Sequence, residues 1–157
     1  MDFFARLEQS GLGQWVSASI EGYPIMITLH SVGLAVVAGL AVAIDLRLLG
    51  YFRSIPLTSL RTFFTIAWLG FLVNFLSGAA LFTSQATTYV TDLTFLLKMA
   101  FVLVGAATIG YLQPAVARIG DGYGADAVVP SGTRTAAVVS LAVWAGAVVT
   151  GRLIAYL

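Results

Sequence analysis

Hydropathy divides the chain into four long apolar runs, at about residues 24–49, 62–82, 94–116 and 135–157, separated by short polar connections. A helix rises about 1.5 Å per residue and needs roughly 20 residues to cross the hydrocarbon core, so each run is long enough to span. Short connections favour antiparallel neighbours. The pattern predicts an all-α integral membrane protein, a four-helix up-down bundle forming a single domain. Ahead of it, residues 2–16 (DFFARLEQSGLGQWV) are weakly amphipathic. Phe3, Phe4 and Leu7 share one face at helical spacing, with Asp2, Arg6, Glu8 and Gln9 away from it. This predicts a short interfacial helix in the headgroup layer, anchored by Trp15 and interrupted at Gly11-Leu12-Gly13, then a turn at Glu21-Gly22-Tyr23-Pro24.

Small and polar residues punctuate the runs. Gly33 and Gly39 in the first leave room for a neighbouring helix or a flat ligand. Gly70, Asn74, Ser77 and Gly78 fall on one face of the second at spacings of three and four. Asn74 is expected to hydrogen-bond across the bundle. Pro114, late in the third run, is expected to kink or end that helix. The sequence GDGYG at Gly120–Gly124 follows no predicted strand and reads as a flexible turn rather than a phosphate-binding loop. Asp45 is expected to form an ion pair with Arg47, Arg53 or Arg61.

Composition agrees with a membrane setting. Hydrophobic residues make up 59% of the chain and charged residues 10%, against roughly 25% charged in average soluble domains. Mean hydropathy is +0.95. A net charge of +1 supplies no basic patch for a nucleic-acid partner. The absence of cysteine excludes disulfides, thiolate metal sites and cysteine nucleophiles. Asp2, Glu8 and Glu21 precede the first run, and its length exceeds a signal-peptide core, so it is expected to be a retained span. Arg47, Arg53, Arg61, Arg118 and Arg134 cluster in the first and third connections, whereas the second (Thr83 to Leu93) carries neither Lys nor Arg. The positive-inside rule then makes the arginine-bearing connections cytoplasmic and sets both termini on the outer side of the membrane.

This topology aligns the polar side chains by depth. His30, the only histidine, lies about six residues inside the outer end of the first span, roughly 9 Å in. Lys98, Arg152 and the Ser77-Gly78 pair fall at a similar level on the other three spans. Lys98 and Arg152 each also have a plain reading, snorkelling to the interface on an apolar stem. His30 is too short to snorkel; its plain reading is an interhelical hydrogen bond. If these residues form a site, neutral imidazole suits haem iron or copper, and the two cations suit an anionic group such as haem propionates. Gly33 and Gly78 would then make room for the macrocycle. Met26, one helical turn before His30, or Met99 could supply a second ligand, and Met26 with His30 could alternatively belong to a copper site.

The segments TLHSVGLAVVAGLAVAIDLRLLG in the first span, SGAALF closing the second, FLLKM opening the third and GRLIAYL at the C-terminus, with the LEQSGLGQWV opening, resemble a family of uncharacterised bacterial four-helix inner-membrane proteins over nearly the whole chain. The layout is also similar to the copper-resistance D family and to the four-helix membrane protoporphyrinogen oxidase family. The latter pairs a histidine in its first helix with a lysine opening a later one and binds haem b. The likeness implies His30 as axial ligand and Lys98 as an essential cation. The expectation is therefore an inner-membrane protein that binds haem b near the periplasmic face through His30, with Lys98 and Arg152 towards the propionates, for electron transfer or haem-linked redox. Two alternatives stay open. One is a cofactor-free accessory subunit of a homo-oligomer or larger membrane complex; the other is a copper-handling or small transport protein.

Overall fold

The computed structural model describes residues 2–122 and 128–154. The described residues are helical almost throughout, in the order α1 (Asp2–Glu8), α2 (Gly11–Ala18), α3 (Gly22–Leu48), α4 (Leu60–Ser84), α5 (Ala86–Tyr89), α6 (Leu93–Gly122) and α7 (Ser131–Leu153), with a 3-10 turn at Leu57–Ser59. Four helices, α3, α4, α6 and α7, are long and apolar enough to cross a membrane. They pack as antiparallel pairs, α3 on α4 and α6 on α7. The pairs join chiefly through α3 and α7, and the α4–α6 seam is only lightly closed. Large apolar side chains such as Leu69, Leu72, Leu76, Leu103 and Val149 stay exposed on the outer faces, as a lipid-embedded bundle requires. This is a four-span, multi-pass membrane protein.

The span boundaries shift in three places. The first helix starts at Gly22, so Pro24 sits in its first turn, where a missing N–H leaves no helical bond unmade. The third span continues through Pro114 to Gly122. Apolar helices tolerate an internal proline; separately, the adjacent Gln113 is tied to α4, its Oε1 accepting from Trp68 Nε1 at 2.9 Å. Gly120 is therefore helical, not part of a turn; Tyr123 and Gly124 of that stretch lie outside the described residues. The fourth span begins at Ser131, which draws Arg134 into the helix, and its last three residues, 155–157, are likewise outside the description.

The N-terminal segment is two helices rather than one, and the break falls at Gln9-Ser10. Ser10 caps α2, its Oγ accepting from Gly13 N at 3.2 Å, so Gly11-Leu12-Gly13 forms the first turn of α2 instead of interrupting a helix. Gly13 is required for its seating, since a Cβ there would stand 2.9 Å from the Thr83 carbonyl oxygen at the end of α4. Val16 is wholly buried beneath. Glu8 completes the attachment: its carboxylate accepts from Thr87 N at 2.8 Å and Thr87 Oγ1 at 2.7 Å, tying α1 to the start of α5. The pair forms a collar over the C-terminal end of α4 and over α5.

The opposite end of the bundle is closed by backbone geometry and arginines. Gly50 adopts φ +102° just after α3. Gly50 N bonds the Arg47 carbonyl at 3.2 Å and Tyr51 N bonds the Leu46 carbonyl at 3.0 Å, the paired closure that a left-handed residue permits at a helix C-terminus. Buried Arg47 donates from Nε to the Ile55 carbonyl at 2.6 Å. Asp45 thus lacks its expected arginine partner. It is 1% exposed, and neither carboxylate oxygen has a hydrogen-bond partner. The apolar core (Ile44, Leu48, Leu60, Phe64, Ile109, Leu112, Ala137 and Trp144 among others) fills the middle and this half of the bundle. The polar residues Asn74 and Ser77 are buried in the other half.

Candidate functional site

Close approach of α3 and α4 builds the polar half. A Cβ on Gly33 would lie 2.6 Å from Asn74 N, and one on Gly70 would lie 2.7 Å from the Val36 side chain. Bare backbone at these two crossings brings the helices together. One turn towards the N-terminus of α3, His30 leans onto Gly78 of α4, where a Cβ would meet its Cε1 at 2.9 Å. The room at both glycines is thus filled by the chain itself, by the Asn74 backbone at Gly33 and by the imidazole at Gly78.

The imidazole is held by both ring nitrogens. His30 Nδ1 lies 2.9 Å from the Asn74 carbonyl oxygen, which can only accept, so the proton belongs on Nδ1. Asn74 Nδ2 returns a bond to the His30 carbonyl at 2.8 Å. Ser77 completes this side: its Oγ donates to the Val73 carbonyl at 2.6 Å and stands 3.4 Å from Nδ1. With Nδ1 protonated, Nε2 keeps its lone pair and turns it towards α6, where Lys98 Nζ donates to it at 3.2 Å. The Lys98 amine also lies against Gly151 of α7, 3.7 Å from where a Cβ there would stand. Residues from all four spans therefore meet at one level: His30, Asn74 with Ser77 and Gly78, Lys98, and Gly151. An imidazole whose Nδ1–H is fixed by a backbone carbonyl is oriented as metal-ligating histidines are.

Other expected members stand apart. Arg152 follows Gly151 but its side chain is exposed. Met26 lies one turn outward of His30 on α3 and is half-buried. Among the described residues, no group of three or more His, Cys, Asp or Glu side chains could hold a metal ion. The structure adds an aromatic cluster between this centre and the N-terminal helices. Phe95, one turn before Lys98, stacks on Tyr89 at 5.2 Å and on Phe82 at 5.5 Å between ring centroids. Phe4 of the collar meets Phe82 edge-on at 6.3 Å. These rings are scattered across residues 4–95 in sequence, and only the folding of α1 and α5 over the bundle end gathers them.

The fold and centre together define a four-span helical membrane protein with a His–Lys–Asn polar centre near one end of the bundle. Comparison with protein families, with curated proteins and with solved structures finds no match to the chain.

Proposed function

We propose that this protein is a bacterial inner-membrane haem b protein, with His30 Nε2 as axial ligand, acting in electron transfer or haem-linked redox near the periplasmic face. The observation that carries the reading is the fixed imidazole: the Asn74 carbonyl holds the Nδ1 proton, leaving a directed Nε2 lone pair. The donor set fits one axial bond. A flat ligand would have to reach Nε2 beside Lys98, where the α4–α6 seam is only lightly closed. Lys98 Nζ stands over that lone pair at 3.2 Å; with haem bound, its flexible stem would let the ammonium pair with a propionate instead. Arg152, exposed near the same level, is the second cation for that edge. Bound haem supplies one-electron redox chemistry; the chain orients the ligand, screens it with the aromatic cluster and balances its anionic edge. The test is the visible absorption spectrum of protein purified in detergent after haem-replete expression. A Soret band in the wild type, lost in His30→Ala, is expected; no band in the wild type, or the same band in the variant, overturns the proposal.

A second reading has its own support. Both His30 nitrogens have partners within the chain, and the space at Gly33 and Gly78 is filled. A cofactor-free accessory subunit would need nothing more of this cluster than packing. It predicts co-purification with larger membrane partners and indifference of that assembly to His30→Ala.

A further inference from the structure

Among the described residues, three buried polar side chains have no hydrogen-bond partner: the Asp45 carboxylate on α3, and the Ser140 hydroxyl and Trp144 indole N–H on α7. Each is at most 1% exposed. Buried polar groups are partnered in the great majority of cases, and each exception asks for a reason. A carboxylate is the most demanding, because an ionised one buried without a partner is far costlier than a neutral amide. Ser140 of α7 neighbours Asp45 without meeting hydrogen-bond geometry, and Trp144 follows one turn later on the same face of α7. The buried core residues near Asp45 and Ser140 in sequence are apolar: Ala41, Ile44 and Leu48 on α3 and Ala137 on α7.

Charged groups are near in sequence but turned elsewhere. Arg47 of α3 spends its Nε on the Ile55 carbonyl, and Arg134 of α7 reaches the Leu49 carbonyl from Nη2 at 3.4 Å. Arg61 of α4 and Arg118 of α6 have exposed side chains. Among the described residues, none donates a hydrogen bond to Asp45.

We propose that Asp45 and Ser140 form a second functional site, in the arginine-bearing half of the bundle, at which the protein takes up and releases a proton. A proton from water forms an O–H bond on one Asp45 oxygen, and the resulting hydroxyl donates to Ser140 Oγ; release returns the proton to water. The site binds a proton rather than a metal cation because two carboxylate oxygens and one hydroxyl fall well short of the six or more oxygens that hard cations gather. Acidic residues inside membrane helices commonly serve as proton relays. This site is independent of any ligand at His30, from which it is separated along α3.

Infrared difference spectroscopy of the full chain in lipid vesicles, between acid and alkaline buffers, tests the assignment. The C=O stretch of a protonated carboxyl should be lost on alkalinisation of the wild type, be missing from Asp45→Asn and be shifted in Ser140→Ala. An identical carboxyl spectrum in wild type and Asp45→Asn overturns the proposal. So does displacement of the band by sodium at constant pH, which would make the site a cation site. Ser140→Ala keeps the carboxyl and serves alone if Asp45→Asn does not fold: an unshifted band there also overturns the proposal.

Discussion

At the scale of single residues, the centre depends on which side chains are missing as much as on those present. Gly78 is a seat for the His30 ring, so Gly78→Val should displace the imidazole and cost about 1–3 kcal/mol, as overpacking of a close contact does. Gly39 is a built-in control: nothing lies within 4 Å of where its Cβ would stand. Gly39→Ala should be neutral or gain up to about 1 kcal/mol from helix propensity. Thermal melts of the two detergent-solubilised variants separate these outcomes; equal melting temperatures would remove Gly78 from its role. Asn74→Ala deletes the bond to the His30 carbonyl and should cost about 0.6–2 kcal/mol, the range for interhelical hydrogen bonds. His30 and Lys98 were legible in sequence because ionisable residues within apolar runs stand out. Asn74 was legible as a cross-bundle donor but not as the residue whose backbone sets the imidazole tautomer, since any residue brings a carbonyl and only the fold aims it. Asp45 was misassigned because the arginines adjacent in sequence turn to carbonyls that the loop presents, and sequence proximity cannot register that competition.

At the scale of elements, periodicity and length located all four spans, with errors only at their ends. Those errors have local causes: Pro24 and Pro114 read as boundaries, while the structure uses one inside a first turn and bridges the other. The collar was half legible. Its amphipathic spacing showed, but the division at Ser10 depends on a side-chain cap, and its docking depends on Gly13 and on Glu8 reaching Thr87 far along the chain. The two Thr87 hydrogen bonds hold the Glu8 carboxyl below the ordinary glutamate range. The ionised form is thus the one the folded collar favours. Its contribution is complete above the unfolded glutamate value and is lost as pH falls through the lower folded value. A spin label on a cysteine introduced at Gln9 should therefore gain mobility on acidification, and Glu8→Gln should show raised mobility already at neutral pH. Mobility that is unchanged in the variant would argue that the collar is held by packing alone. At the other end of α3, Gly50→Ala places a side chain at φ +102° and should destabilise by about 1 kcal/mol or more, again read from the melting temperature.

At the scale of the whole molecule, the bundle divides its labour along the membrane normal. The arginine-bearing half is closed by an apolar core around Trp144 and Phe64, with the Asp45 site enclosed beside it. The opposite half is cut by glycines, which bring α3 and α4 close enough for His30 to be held from both sides. The collar and its aromatic rings cover that end. Nothing in composition or hydropathy could distinguish these halves, because both are made of equally apolar helices; the distinction rests on a few residues whose spacing matters only once the helices cross. Chemical rescue is the sharpest test of the proposal that His30 is an axial ligand. In His30→Gly purified in detergent with haem supplied, the Soret band should be absent and should return when free imidazole is added, with the Gly78→Val background resisting rescue. A band of equal intensity in wild type and His30→Gly without imidazole, or none in the wild type, would contradict it.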